Sequence, residues 1–509
     1  MKIKNKIIKI LGIIASVALL LSNISITTNA ANASLPDSTK TGSITIHKYA
    51  LDSLSDANAP ATGLQDDSQV PASAIKLPGI TFKIYKVADT ITDVSQITDA
   101  NKGTAVQTVT TGDGTSGTTL GVATASNLAL GKYYVEEVAT SAVTASTAPF
   151  LVDVPMTNPT NGKEWIYDVH VYPKNVLAPG PTIDKSVTTS GNKNDSANIG
   201  SNETWIIEPS IPLGVETSKQ YIVTDSIDSR LDYTGFVGIS FKDTSNQTVT
   251  LTKGTDYILT EPGTTGGGTL KIEFMQTGKT KLAAGTSAGQ TIETKMAVKY
   301  TTKINNTANL GEPIYNGASI NYTNALDVSK TPTVPDSLRP EVHTGGVLLE
   351  KVDTANNSIK LQGAKFKIYP TLADAQAGTN AILSTDGTTN EWEITTDSNG
   401  QAIFSGLKYG NSGDSATAGS TDYYIVETQA PMYDSNGDGT PDKAYNLLSA
   451  PFKVTVNATS HLDANKISVK DSKFTLPKTG GLGTLIFTFG GIILMGTASV
   501  LYIKSRKKA

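Results

Sequence analysis

Between residues 34 and 475, apolar and polar side chains alternate in short runs such as Ser43-Ile44-Thr45-Ile46-His47-Lys48 and Lys365-Phe366-Lys367-Ile368-Tyr369. Residues two apart share a face of a strand, so runs of this kind predict half-buried β-strands. Gly, Asn and Pro interrupt the pattern at short intervals, Thr, Val, Ile and Tyr are abundant, and no long helical periodicity is present. The predicted fold class is all-β, built of sandwiches. Two uninterrupted apolar runs stand apart at the ends, Ile10–Leu21 and Leu482–Ile503.

The two runs read as export signals. Lys2, Lys4, Lys6 and Lys9 precede the first, and small residues follow it at Thr28-Asn29-Ala30 and Ala31-Asn32-Ala33. That is a secretory signal peptide, residues 1–33, with alternative cleavage points near Ala31 and Ser34. The second run matches the roughly 20 apolar residues that cross a bilayer. It is followed by Lys504-Ser505-Arg506-Lys507-Lys508, which stays cytoplasmic. Just before it stands Leu476-Pro477-Lys478-Thr479-Gly480. Residues 476–509 together resemble the cell-wall sorting signal of Gram-positive surface proteins. The resemblance implies cleavage by a sortase between Thr479 and Gly480 and transfer of the Thr479 carbonyl to an amine.

Charge and composition narrow the function. Residues 1–33 and 480–509, on either side of the expected cleavage points, hold eight of the 42 basic residues and none of the 46 acidic ones, so the segment between them carries 34 against 46, a net −12. Such a polyanion is a poor partner for nucleic acid. Cysteine is absent although the chain is exported, so any covalent staple is of another kind. Four histidines, no cysteine and no nucleophile elbow or zinc motif argue against a surface hydrolase.

Pro-rich stretches at Leu177-Ala178-Pro179-Gly180-Pro181 and Pro332–Pro340 read as stiff connectors and divide the remainder into 34–176, 182–341 and 345–475. The first and third parts are related. Leu77–Tyr85 (LPGITFKIY) and Leu361–Tyr369 (LQGAKFKIY) agree at six of nine positions, and each follows a strand with one lysine. An internal duplication is expected.

Those lysines lie on the apolar face. Ile44, Ile46 and Lys48 point one way, as do Val347, Leu349 and Lys351, and also Ile183, Lys185 and Val187. Burial of an ammonium is costly unless it is paired or neutralised, and a desolvated neutral amine is a nucleophile. Carboxylates share inward faces further on: Glu427 with Tyr423 and Ile425, and Glu137 with Tyr133 and Val135, with Glu136 as the alternative if the register slips. Asn175 points inward with Val169 and Val171, and Asp471 with Ile467 and Val469. In the middle part the carboxylate is Asp225, and both Asn316 and Asn324 share the face of Ala318 and Ile320.

Tyr423–Pro431 (YYIVETQAP) resembles the E-box of Gram-positive pilins, and Trp165–Asn175 (WIYDVHVYPKN) resembles their pilin motif. The chain as a whole resembles a sortase-assembled major pilin. That resemblance implies three tandem immunoglobulin-like, collagen-adhesin-type β-sandwich domains. It also implies intramolecular Lys–Asn or Lys–Asp isopeptide bonds promoted by a buried acid. Carried over by position, Lys48 joins Asn175 with Glu137 as promoter. Lys185 joins Asn316, or alternatively Asn324, with Asp225, and Lys351 joins Asp471 with Glu427. Lys174, adjacent to Asn175, faces outward with His170 and Tyr172 and becomes the acceptor for Thr479 of another subunit. The function implied is a structural pilus subunit, not an enzyme, and the alternative is a monomeric wall-anchored adhesin. Implied partners are pilin-specific and housekeeping sortases, identical subunits head-to-tail, minor pilins, peptidoglycan and a host surface.

One further loop has ligand-like spacing. Asp434, Asn436, Asp438 and Asp442 fall at positions 1, 3, 5 and 9 of a loop with Gly439 at position 6, like the start of a calcium loop. Position 12 is Tyr445 rather than Glu. No cofactor is required, and calcium is the one candidate.

Overall fold

The computed structural model describes residues 35–51, 62–287, 294–385, 390–474 and 483–507. The predicted signal peptide and the Leu476–Gly480 pentapeptide lie outside them. Regular structure in the described chain is mostly strand, gathered around three large buried clusters.

In the first cluster, Thr41–His47 lies between Asp168–Val171, which runs parallel to it, and Val122–Ala129. Tyr49–Leu51 continues that strand and pairs in parallel with Lys174–Leu177. The facing sheet has the order Gln107–Thr110, Thr81–Val87, Gly131–Glu137, Phe150–Val154. Ile44, Ile46, Phe82, Ile84, Tyr133 and Val135 fill the space between, all nearly inaccessible. The alternation predicted for these strands is kept.

The third cluster repeats this plan. Gly345–Asp353 is flanked by Gln401–Leu407 and, in parallel, by Ile467–Asp471. Its facing sheet has the order Glu393–Thr395, Lys365–Tyr369, Ser420–Gln429, Phe452–Asn457. The correspondence reaches single residues. Phe82 pairs with Glu137, and Phe366 pairs with Glu427. Asn175 stands opposite the residue two after Lys48, and Asp471 opposite the residue two after Lys351. Thr111 and Thr396 each donate to the carbonyl of the leucine that opens the repeat, Leu77 at 2.9 Å and Leu361 at 2.8 Å.

The middle cluster is built differently, from two five-stranded sheets. One has Ala297–Ile304 at its centre and the other Gln220–Ile227. Trp205, Tyr221, Leu270 and Tyr300 fill it. Strand Glu341–His343 pairs in parallel with Asn194–Ser196, and the chain then enters the third cluster at Gly345. Backbone bonds seal that junction, including Ile199 N–H to Gly406 O at 2.9 Å.

A helix, Gly483–Arg506, closes the described chain. Its segment Leu485–Arg506 has mean hydropathy 1.9 and no buried residues, which is long and apolar enough to cross a membrane.

Candidate functional site

Each cluster holds one wholly buried lysine: Lys48, Lys185 and Lys351 are all 0 % exposed. Each ammonium is opposed by a carboxylate and lies over an aromatic ring.

The first site forms where the parallel partner of the opening strand breaks. Tyr172 and Pro173 interrupt the strand between Val171 and Lys174, opposite Lys48. Proline has no N–H to give a ladder, so a break there costs no additional donor. Lys48 Nζ meets Glu137 Oε2 at 2.7 Å and Asn175 Oδ1 at 2.5 Å. Asn175 Nδ2 donates to Glu137 Oε1 at 2.5 Å. Glu137 thus touches both the amine and the amide nitrogen. Its neighbour Glu136 points outward, where Lys102 approaches at 3.3 Å. Desolvation pulls Lys48 down to about 8 despite the attraction of Glu137.

Sequence reasoning missed one contributor here. Thr147 N–H donates to Asn175 Oδ1 at 3.0 Å, so the amide carbonyl receives two donors, an arrangement that favours charge developing on that oxygen. Nothing in the sequence around Thr147 signals this, because a backbone N–H has no residue signature.

The third site has the same layout with an acid for the amide. Lys351 Nζ lies 2.5 Å from Asp471 Oδ1 and 2.8 Å from Glu427 Oε1. Glu427 Oε2 accepts from Leu448 N–H at 2.9 Å. Two carboxylates face one ammonium, and burial raises both Glu427 and Asp471, so the group favours holding a proton.

In the middle site, Lys185 Nζ meets Asp225 Oδ2 at 2.5 Å and Tyr300 Oη at 2.9 Å. Desolvation lowers Lys185 to about 8 and raises Asp225. Asn316 Nδ2 donates to Tyr300 Oη at 2.7 Å. Asn324 is used elsewhere: its side-chain oxygen accepts from Leu326 N–H at 2.9 Å and Val328 N–H at 3.0 Å, closing a turn. Of the two candidates, only Asn316 joins the lysine's hydrogen-bond network. Tyr300 was not expected, although its place among Val298, Thr302 and Ile304 on an alternating strand marks it as inward.

Lys174 differs from the expected solvent-facing lysine. It is half-buried, donates to Tyr172 O at 3.2 Å, and is lowered by desolvation. The face it shares is covered. Tyr172 stacks on His47 and Tyr49, and its hydroxyl accepts from Asp66 N–H at 2.7 Å. Aromatic stacking and the chain at Gly63–Asp66 shield what strand alternation alone assigns to solvent. Among the described residues no carboxylate lies within ion-pair distance of this amine.

Among the described residues, the predicted calcium loop included, no group of three or more His, Asp or Glu is placed to hold a metal. Its oxygens serve the loop itself. Asp434 accepts from the N–H groups of Asn436, Gly437 and Gly439, and Asp438 from Thr440 N–H. Asp442 accepts from both the N–H and the hydroxyl of Ser435. These bonds hold the three aspartates below the ordinary carboxylate range.

Comparison with known proteins adds an independent line. Residues 39–176 match the N-terminal D1 domain of Gram-positive pilin subunits, residues 345–473 a prealbumin-like fold domain, and residues 468–509 the LPXTG cell wall anchor motif. Fimbrial subunit type 2 of Actinomyces naeslundii is 28% identical over 505 residues, covering 92% of this chain and 90% of that protein. Fimbrial subunit type 1 of Actinomyces viscosus is 28% identical over 450 residues, covering 80% and 78%. Among solved structures, the full-length RrgB pilus protein of Streptococcus pneumoniae aligns with TM-score 0.48 at 17% identity, covering 86% of this chain and 99% of that one.

Proposed function

Because residues 39–176 match a Gram-positive pilin domain and residues 468–509 the LPXTG anchor motif, we propose that the chain is the repeating shaft unit of a covalently polymerised surface pilus. It is a structural protein rather than an enzyme, secreted and anchored to the cell wall, and its anchor motif implies sortase processing and attachment to peptidoglycan.

The observation that carries the reading is the dipeptide Lys174-Asn175. Asn175 is 0 % exposed and bonded to Lys48 and Glu137, while Lys174 next to it has its amine on the opposite face. One residue closes its own domain and the next is the acceptor for a neighbour. Attack of the Lys174 amine on a sortase-bound Thr479 carbonyl joins subunits head-to-tail. A heterologous contact of that kind does not close and so builds a filament. Minor pilins and a host surface are further partners in this reading.

Inside each subunit, the buried lysines form amide bonds. The neutral amine of Lys48 attacks Asn175 Cγ, Glu137 moves a proton from the attacking to the leaving nitrogen, and ammonia departs. Lys185 and Asn316 react likewise beside Asp225. Lys351 and a protonated Asp471 lose water beside Glu427.

Immunoblotting of wall extracts tests the function. A ladder of high-mass species supports the shaft reading, and a single monomer band returns the chain to a monomeric adhesin.

A further inference from the structure

The middle site departs from the other two in the group that touches the acceptor. In the first site the carboxylate of Glu137 reaches both Lys48 and Asn175. In the middle site the carboxylate belongs to an aspartate, one methylene shorter, and among the described residues no hydrogen bond joins Asp225 to Asn316. The gap is spanned by Tyr300. Its hydroxyl oxygen accepts from Lys185 Nζ at 2.9 Å and from Asn316 Nδ2 at 2.7 Å, and its proton goes to Asp225 Oδ2 at 2.6 Å.

A phenol oxygen has one proton and two lone pairs, so these three contacts use it fully. A buried tyrosine placed only for packing needs a single partner for its hydroxyl. Here all three partners are the groups the reaction would change. The corresponding lysines elsewhere lie over phenylalanine rings that offer no hydroxyl, Phe82 at 5.6 Å and Phe366 at 5.5 Å. Two oxygens of the middle site, Asp225 Oδ1 and Asn316 Oδ1, have no hydrogen-bond partner among the described residues, so the network's bonding converges on the hydroxyl.

We infer that Tyr300 is a catalytic residue of the Lys185–Asn316 condensation, carrying the proton that the leaving nitrogen requires. The inference rests on the reading of this pair as bond-forming. The neutral Lys185 amine attacks Asn316 Cγ, and its nitrogen gives a proton to Asp225 Oδ2. Tyr300 gives its hydroxyl proton to Asn316 Nδ2 and regains one from Asp225. The Cγ–Nδ2 bond then breaks with its electron pair on nitrogen, and ammonia leaves. Lysine and carboxamide become a secondary amide and ammonia, and Tyr300 and Asp225 end as they began. Burial raises the Tyr300 hydroxyl well above its ordinary range, so it stays protonated and able to donate.

The test uses the mature chain, harvested at intervals after synthesis and digested. Mass spectrometry reads the fraction of Lys185 peptide joined to Asn316, with the Lys48–Asn175 joint of the same molecules as an internal clock. Tyr300→Phe keeps the ring and removes the hydroxyl. Joining at Lys185 is expected to slow by about 100-fold, the usual size of a general acid–base contribution, while the Lys48 joint keeps its rate. A Tyr300→Phe chain that joins Lys185 to Asn316 at the wild-type rate overturns the relay but leaves the bond. A wild-type chain without that joint overturns the bond-forming reading and the relay with it. Should the variant fail to fold, wild-type joining in heavy water decides. Slower joining at Lys185 is expected for protons in flight, and an unchanged rate overturns the relay.

Discussion

The first and third clusters carry the same layout in the same register, and they differ around the residue that meets the buried lysine. The acceptor beside Lys48 is Asn175, whereas beside Lys351 it is Asp471. The residue before each acceptor is a lysine, and each stands opposite the residue just after the buried lysine: Lys174 opposite Tyr49, Lys470 opposite Val352. Yet Lys470 is exposed, whereas Lys174 is half-buried, held on the Tyr172 carbonyl and lowered by desolvation. Two lysines occupy one position of the repeated plan, and the surroundings of Lys174 favour its neutral amine. Tyr172 and Pro173, which break the strand beside Lys48, have no counterpart in the third cluster, where Ile467–Asp471 is continuous.

The sharpest break of this comparison is a pair of substitutions. Lys174→Ala is expected to abolish the high-mass ladder and leave folded, wall-attached monomer, while Lys470→Ala leaves the ladder intact. Immunoblotting reads both. A ladder that survives loss of Lys174 removes it as acceptor.

Next in size are the internal bonds. Glu137→Ala is expected to restore ammonia, about 17 Da, to the intact mass, and Glu427→Ala to restore water, about 18 Da. Each also removes a link between residues 127 and 120 positions apart. Closing loops of that length restrains the unfolded chain by roughly 5 kcal/mol, as a disulfide would, so calorimetry should show the affected region melting earlier. Unchanged masses would show that the pairs remain ion pairs.

The acceptors also predict opposite pH slopes. Lys48 is lowered to about 8, so its neutral form is disfavoured below that pH and bond formation at Asn175 should quicken as pH rises, then level off. In the uncrosslinked fold, the same depressed lysine costs stability at low pH and returns it as pH rises from about 8 towards 10.5. At the third site Glu427 and Asp471 are raised, so the fold favours their protonated forms, and stability falls as pH climbs through their raised values. Loss of water needs that proton, and joining at Asp471 should slow as pH rises. Parallel slopes at the two sites would undo the distinction. The smallest expected effect is calcium: with the oxygens of Asp434, Asp438 and Asp442 already bonded within the loop, exchanging calcium for chelator should leave the melting of the third cluster unchanged. An upward shift with calcium would reinstate the loop as a site.

Much of this was legible in the chain. Period-2 alternation gives the strands and the inward lysines, because a residue's face follows from parity alone once one face is buried. The matching LPGITFKIY and LQGAKFKIY segments announce the repeated plan. What parity cannot supply is what crosses between strands. Tyr300 lies far from Lys185 in sequence and meets it only through sheet packing. Thr147 acts through its backbone, which no side-chain pattern records. Lys174 was assigned to solvent because alternation says which side a residue leaves the strand, not what lies over that side. The calcium spacing is ambiguous in the sequence because aspartates two apart also suit loops that bond their own N–H groups.

Mass spectrometry of digested wall material reads the proposed covalent joint between subunits at the bond itself. The expected product is a branched peptide in which the carboxyl of Thr479 is amide-bonded to the side-chain amine of Lys174. Polymer whose subunits still carry Gly480 and the apolar tail, or are joined through a different lysine, would contradict it.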